Sequence, residues 1–377
     1  MGQVRPKSMD NTEIAACRVW PSDLALRAPF GISGGTQERA SIVLVAVELR
    51  DGTIGFGEAA PLPSFNGETR DDVLAVAGPA ADFLLGRDAA SWRTLSELIK
   101  DQTCWNGREI KSARCAIETA LLDAWLRSQR ISMWRFFGAR LRSIQTDYTI
   151  TQVHGVDQED AVEAAVIATR QARSFGTAIL KIKVGGVPFE HDLLRVRAVH
   201  REAPAAALTL DANGAFDTDS AQRFARALIE DHIPLELFEQ PVPAENIEGL
   251  AELRRTLTVR IAADESAGSY AQVLELHRHN AVDYVNIKLM KTGIAESLSI
   301  AEFCRSHEIG LMIGGMVETN LAMGVSATLA AGMGGFDFID LDTPLFMASA
   351  PFPGGPVWDG CTILVDEKAI GHGIVPA

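Results

Sequence analysis

From residue 146 to residue 342 the chain alternates short apolar-rich runs with longer stretches in which apolar positions recur every three or four residues. The runs are TDYTIT (146–151), AILKIKV (178–184), ALTLDAN (207–213), LELFEQ (235–240), RIAADES (260–266), DYVNIKL (283–289), GLMIGG (310–315) and FDFIDLD (336–342). Short apolar-rich runs of this length predict strands, and helical spacing between them predicts crossovers that keep the strands parallel. Eight strands with intervening helices predict an α/β fold, a closed (β/α)8-type barrel over residues 141–345. Residues 1–140 have another texture. They show strand patterns at 12–20 and 41–49, an Asp-Gly hairpin turn in RDGTIGFGEA and helical spacing over 71–86, 91–101 and 109–127, a separate α+β unit. The tail, 346–377, opens with the glycine- and proline-rich PFPGGPVWDG and is expected to leave the barrel and return to the N-terminal unit.

The polar residues inside these runs carry the chemistry. Successive strand residues point to opposite faces, so Lys181 and Lys183 share one face of the second strand. An unpaired ammonium in an apolar interior is costly, so that face must open onto something anionic. Strand three ends in Asp211, strand four in Glu239 and strand five in Asp264; the spacings, 211 to 239 and 239 to 264, are each about one βα unit. Three carboxylates on adjacent strand ends repel one another, and a hard divalent cation relieves this. Mg2+ suits an oxygen-only set without His or Cys. Lys288 lies near the end of strand six, diametrically opposite strand two, so a substrate on the metal has an amine on either side. One lysine can remove an α-proton, leaving an enediolate, and the other can return a proton on the opposite face, which is racemisation or epimerisation. Lys291 lies beyond strand six and is expected to face solvent.

Composition narrows the field. With 47% apolar and 22% charged residues the chain is an ordinary globular protein rather than a disordered one. Its net charge of −14, without a Lys/Arg run, argues against nucleic acid and anionic membranes as partners. Cys17, Cys104, Cys115, Cys304 and Cys361 are odd in number and form no CxxC pair, so they read as reduced thiols. The start of the chain has no apolar targeting segment, and no run of ~18 apolar residues occurs, so a cytoplasmic location is expected. GISGG and GMGG are too loose for dinucleotide loops, and no Walker signature is present.

Taken together, KIKVG, DAN, FEQP, ADES and NIKLMKTG resemble the enolase superfamily, specifically its muconate lactonizing enzyme subgroup, and are most similar to the dipeptide epimerases. The resemblance covers nearly the whole chain. It implies an enolase-like modified barrel with residues 1–140 as a capping domain completed by the tail, whose loops at about 30–40 and 60–69 close over the barrel and set specificity. It further implies Asp211, Glu239 and Asp264 as Mg2+ ligands, Lys183 and Lys288 as the acid/base pair, Lys181 as a contact to the substrate carboxylate and Thr149 as a substrate contact. On strand eight, Asp340 and Asp342 share a face suited to an ammonium group, which resembles the feature that binds the free α-amino group in dipeptide epimerases. Glu318 ends strand seven, and its role stays open.

The Ala-Glu epimerases carry an arginine in the first capping loop, whereas PFGISGGTQERAS has glycines at about that position and Arg39 only later. This argues for a dipeptide with an apolar side chain, with Phe65, Met316 and Phe346 as wall residues. On the same scaffold, N-succinylamino acid racemase, o-succinylbenzoate synthase and muconate cycloisomerase are alternatives, although their substrates lack the ammonium that two aspartates would attract. A Schiff-base lysine aldolase on a (β/α)8 barrel is the reading from a different class. A non-catalytic binding barrel leaves the lysines and carboxylates without a purpose. A homo-oligomer is compatible with the sequence, which does not count subunits.

Overall fold

In the computed structural model, which describes residues 11–32, 35–349 and 352–376, the eight apolar runs form one parallel sheet in which chain neighbours are spatial neighbours. Barrel strands one to eight are Tyr148–Ile150, Ile179–Lys183, Ala207–Asp211, Leu235–Glu239, Arg260–Ala263, Tyr284–Ile287, Gly310–Ile313 and Phe338–Ile339. The two edges of the sheet meet where Asp147 N–H donates to Ile339 O at 2.9 Å. Leu180, Ile182, Leu208 and Leu210 point outward and are fully buried beneath the crossover helices, as a parallel sheet covered on its outer face requires. Most of the ladders end sooner than the apolar runs suggest, because the polar residues at the run ends are where the backbone leaves the sheet. Asp264 precedes a 3-10 turn, Glu265–Ala267, and Lys288 is the N-cap of the helix Leu289–Ser306. Asp264 and Lys288 therefore stand on the barrel rim just beyond the ladder, whereas Lys183, Asp211 and Glu239 are the last residues of their strands.

The N-terminal unit packs a three-stranded antiparallel sheet, β1 (Ile14–Ile32), β2 (Gly35–Leu49) and β3 (Ile54–Ala59), against helices Arg70–Phe83, Trp92–Gln102 and Lys111–Ser128. β1 and β2 run much further than the expected strands at 12–20 and 41–49. They continue as a ribbon with Leu24 opposite Ala40 and Phe30 opposite Gln37. Much of that ribbon is exposed, so it lacks the buried apolar stripe from which a strand is recognised. Residues 30–40, expected as a loop, are therefore mostly strand; the glycine-containing tip at 33 and 34 lies outside the described residues. Arg39 is exposed and pairs with Ala25 along the ribbon.

The helix Lys111–Ser128 joins this unit to the barrel. Its Glu118 carboxylate accepts from Ile294 N–H and Ala295 N–H, each at 2.8 Å, where the helix Leu289–Ser306 is broken by Gly293. Gly293 has φ 68°, and a Cβ there would collide with Glu118 Oε2, so both backbone and space require glycine. The tail hairpin, Val357–Asp359 with Thr362–Leu364, pairs with Ser143–Gln145, and His372 N–H donates to Asp123 Oδ1 at 2.9 Å in the helix Lys111–Ser128. Among the described residues no helix is long and apolar enough to cross a membrane. All five cysteines are free.

Candidate active site

Barrel strands two to six deliver lysines and carboxylates to one rim. Lys181, fully buried, lies with its Nζ 2.6 Å from Glu239 Oε2, 2.6 Å from Asp340 Oδ2 and 3.0 Å from Asp211 Oδ2. Lys183 Nζ donates to Asp211 Oδ2 at 2.5 Å and stands 3.5 Å from Asn213 Oδ1. Lys288 Nζ lies 2.7 Å from Asp264 Oδ2 and 4.7 Å from the centre of the Phe65 ring, which covers it from the capping side. The two ammoniums of strand two thus meet the anionic surroundings expected of them: each has a buried carboxylate within contact.

These partners set the charge states. Burial alone would raise Asp211, but Lys181, Lys183 and Lys288 outweigh it and hold the carboxyl well below its ordinary value. Burial likewise opposes Asp264, and Lys288 and Lys291 overcome it, leaving Asp264 lowered. Glu239 is pushed up to about 7 by burial and by the neighbouring Asp211. For Lys288, burial favours the neutral amine, yet Asp264 and Glu239 prevail and raise it. Lys181 is raised as well, burial being overcome by Asp211, Asp340 and Glu239.

Asp211, Glu239 and Asp264 fit a hard divalent cation. They are buried oxygen donors on consecutive strands, with Asp211 in register with Glu239 and Glu239 in register with Ala262. Asn286 Nδ2 donates to Glu239 Oε1 at 2.6 Å, and Asn213 N–H to Asp211 Oδ1 at 3.0 Å, so one oxygen of each is fixed from outside. Glu239 Oε2 and Asp264 Oδ2 receive no directed hydrogen bond although an ammonium lies against each, which is the arrangement of positive charge filling a space rather than of a satisfied pair. Among the described residues, the acids that each bring an oxygen within 4.8 Å of the others are instead Asp147, Asp340 and Asp342.

A narrow cleft opens over this rim. Lys183, Lys288, Thr149, Asp340 and Asp342 line its floor, and Phe30, Ile32, Phe65, Met316, Val317 and Met323 are among its walls. Phe346 does not line it as expected; it packs behind Phe30 at 5.3 Å and on Tyr148 at 5.0 Å between ring centres. Thr149 N–H donates to Asp342 Oδ2 at 2.6 Å, so this threonine fixes an aspartate with its backbone. Burial and Asp340 push Asp342 up to about 7.

Lys291, Gln240 and Glu318 also shape the site. Lys291 does not face solvent: it is 4% exposed, and its Nζ donates to Asp264 O, Asp264 Oδ1 and Asn286 O at 2.6, 2.6 and 2.8 Å. The expectation failed because the turn after strand six folds back over strand five before the helix proper begins. Gln240 of FEQP accepts from the N–H groups of Asp264 and Ser266 at 2.9 and 3.1 Å and so anchors the ADES turn. Glu318 accepts only Met316 N–H, at 2.7 Å, while its second oxygen is buried without a hydrogen-bond partner; burial pushes it up to about 8. A carboxyl raised from 4.5 favours the fold while protonated and withdraws that contribution as pH rises toward about 8. Glu318→Gln, permanently neutral, is therefore expected to gain stability relative to the natural protein between about pH 5 and about pH 9 in urea unfolding. A constant difference across that range would contradict the assignment.

Comparison with known proteins gives the site its lineage. Residues 14–138 match the family model of the mandelate racemase / muconate lactonizing enzyme N-terminal domain, and residues 163–377 match the enolase C-terminal domain-like model. The chain belongs to the mandelate racemase / muconate lactonizing enzyme family of the enolase superfamily. Its relatives are named epimerases, and the chain is an isomerase of the racemase and epimerase type. A relative from Herpetosiphon aurantiacus named aromatic dipeptide epimerase is 42% identical over 363 residues, spanning 96% of this chain and 99% of its own. The L-Ala-D/L-Glu epimerase of Thermotoga maritima is 34% identical, spanning 90% and 95%. The dipeptide epimerase of Enterococcus faecalis, solved with Mg and the dipeptide L-Leu-L-Tyr, superposes with a TM-score of 0.88 at 29% identity, covering 96% of this chain and 100% of that one. In this family, the barrel rim and the capping sheet described above are the two halves of one architecture.

Proposed function

We propose that the protein is a Mg2+-dependent dipeptide epimerase that inverts the α-carbon of the C-terminal residue by 1,1-proton transfer. The observation that carries this reading is one cleft lined by lysines from opposite barrel strands and by the paired aspartates Asp340 and Asp342. Asp211, Glu239 and Asp264 are the residues that would hold the cation, which supplies Lewis-acid stabilisation of the charge developing on the substrate carboxylate. Lys183 and Lys288 face a substrate from its two sides, so one takes the α-proton and the other delivers a proton to the opposite face. Lys181, between Asp211, Glu239 and Asp340, meets the substrate carboxylate from below.

Asp340 and Asp342 take the free ammonium of the N-terminal residue, with Thr149 holding Asp342. The substrates of N-succinylamino acid racemases, o-succinylbenzoate synthases and muconate cycloisomerases offer no such group. The aromatic and thioether walls favour an apolar or aromatic dipeptide. Residues 1–140 serve as cap, 141–345 as barrel and 346–377 as the closing tail, and the free thiols suit a cytoplasmic site of action.

The test is incubation of the purified protein with Mg2+ and pooled L,L-dipeptides in D2O, followed by NMR and mass spectrometry. Deuterium at the α-position of the C-terminal residue, lost with EDTA, is the expected result. Exchange with N-succinylamino acids but with no dipeptide would overturn the substrate assignment and spare the lysines.

A further inference from the structure

We infer that Lys291 is the positioning residue that aims Asp264 into the cation site. The inference rests on the proposed reading of Asp264 as a cation ligand. An ammonium has three donors, and Lys291 spends all three inside the protein, on Asp264 Oδ1, Asp264 O and Asn286 O. Two of the three acceptors belong to one residue, so the side chain and main chain of Asp264 are clamped against each other. The third acceptor ties that clamp to the exit of barrel strand six, from which Asn286 also reaches Glu239.

The consequence is a division of labour between the two oxygens of Asp264. Oδ1 is committed to Lys291, and Oδ2 is the atom left toward Lys288, whose Nζ lies 2.7 Å away and which lines the cleft. The two lysines belong to one turn, closed by Lys291 N–H donating to Lys288 O at 2.9 Å. Lys291 is thus the inner cation that orients the carboxylate, and Lys288 the outer one that meets substrate. The clamp is anchored from the cap, since Glu118 holds the N-H groups of Ile294 and Ala295 immediately after Gly293. A positive charge next to a cation site repels the cation, which would make removal of Lys291 favourable. Orientation outweighs this, because without the ammonium Asp264 can rotate, Asn286 O loses the Lys291 donor and Asp264 O keeps only Ala267 N–H.

Mn2+ binding followed by the EPR signal of the free ion tests this without turnover. Lys291→Met is expected to weaken Mn2+ binding by about 10- to 100-fold in protein that remains folded by circular dichroism. Lys291→Gln, which retains an amide donor but not the charge, is expected to fall between, and it stands in if the methionine variant does not fold. Asp264→Asn is measured alongside. If Asp264→Asn binds Mn2+ as the natural protein does, Asp264 is not a ligand and both readings fall. If Asp264→Asn loses binding while Lys291→Met and Lys291→Gln keep it within twofold, Asp264 stands as a ligand and Lys291 merely supports the fold, overturning the inference. A lowered urea midpoint with unchanged Mn2+ affinity has that same meaning.

Discussion

In D2O, Lys183→Ala and Lys288→Ala are each expected to lose epimerisation by about 10³-fold or more while retaining α-proton exchange in one epimer only, and in opposite epimers. General acid–base groups contribute roughly 10²–10⁴-fold, and inversion needs both, so removing either one stops it. Exchange needs only one. The surviving lysine removes the α-proton of the epimer presented to it, its ammonium trades hydrogen with solvent, and it returns deuterium to the same face. The geometry gives the two lysines distinct supports. Lys183 leans on Asp211 and Asn213 from strand two, and Lys288 on Asp264 beneath Phe65 from strand six. Proton NMR of each pure dipeptide epimer, combined with diastereomer separation, reads both quantities. Exchange of the same epimer by both variants would place the lysines on one side of the substrate and sink the two-base mechanism.

The sequence made the barrel and its rim legible because the βα repeat converts spacing into position. Steps of 28 and 25 residues, 211 to 239 and 239 to 264, carry Asp211, Glu239 and Asp264 to consecutive strands, and the register pairs Asp211 directly with Glu239. Period two put Lys181 and Lys183 on one face, and both turn inward. A residue that leaves its periodic element carries no such signal. Lys291 follows the strand and precedes the regular part of its helix, so neither period two nor period 3.6 describes it, and only the fold-back to Asp264 reveals its burial. The ribbon of β1 and β2 escaped for the converse reason: it is regular but half solvated, so hydrophobicity does not trace it. Asp147 shows a third limit. It shares a face with Thr149 and stands next to Asp340 and Asp342 across the closing edge of the barrel, a contact between strands one and eight that lies 193 residues apart for Thr149 and Asp342.

Asp342→Asn is expected to lower kcat/KM for the preferred dipeptide by roughly 10²-fold or more, while leaving activity toward an N-acylated analogue unchanged at its low level. The variant keeps the size of the side chain and an oxygen for Thr149 N–H, so the loss reports charge. Asp342 is the member of the pair able to give that charge. Lys181 already engages Asp340 Oδ2 at 2.6 Å, whereas Asp342 Oδ1 is buried without a hydrogen-bond partner. Truncating one side of a buried charge pair costs about 2–5 kcal/mol, and 1.4 kcal/mol is about tenfold, which sets the expected scale. The natural carboxyl, pushed up to about 7 by burial and Asp340, binds an ammonium better as it ionises, so KM of the natural enzyme should fall as pH rises through about 7. The asparagine variant should lose that limb. Equal losses on the dipeptide and on its N-acylated analogue would mean that Asp342 shapes the rim rather than recognising an amine. In that case the carboxylates of strand eight would serve to balance Lys181, and the substrate would be sought among acids that carry no free amino group.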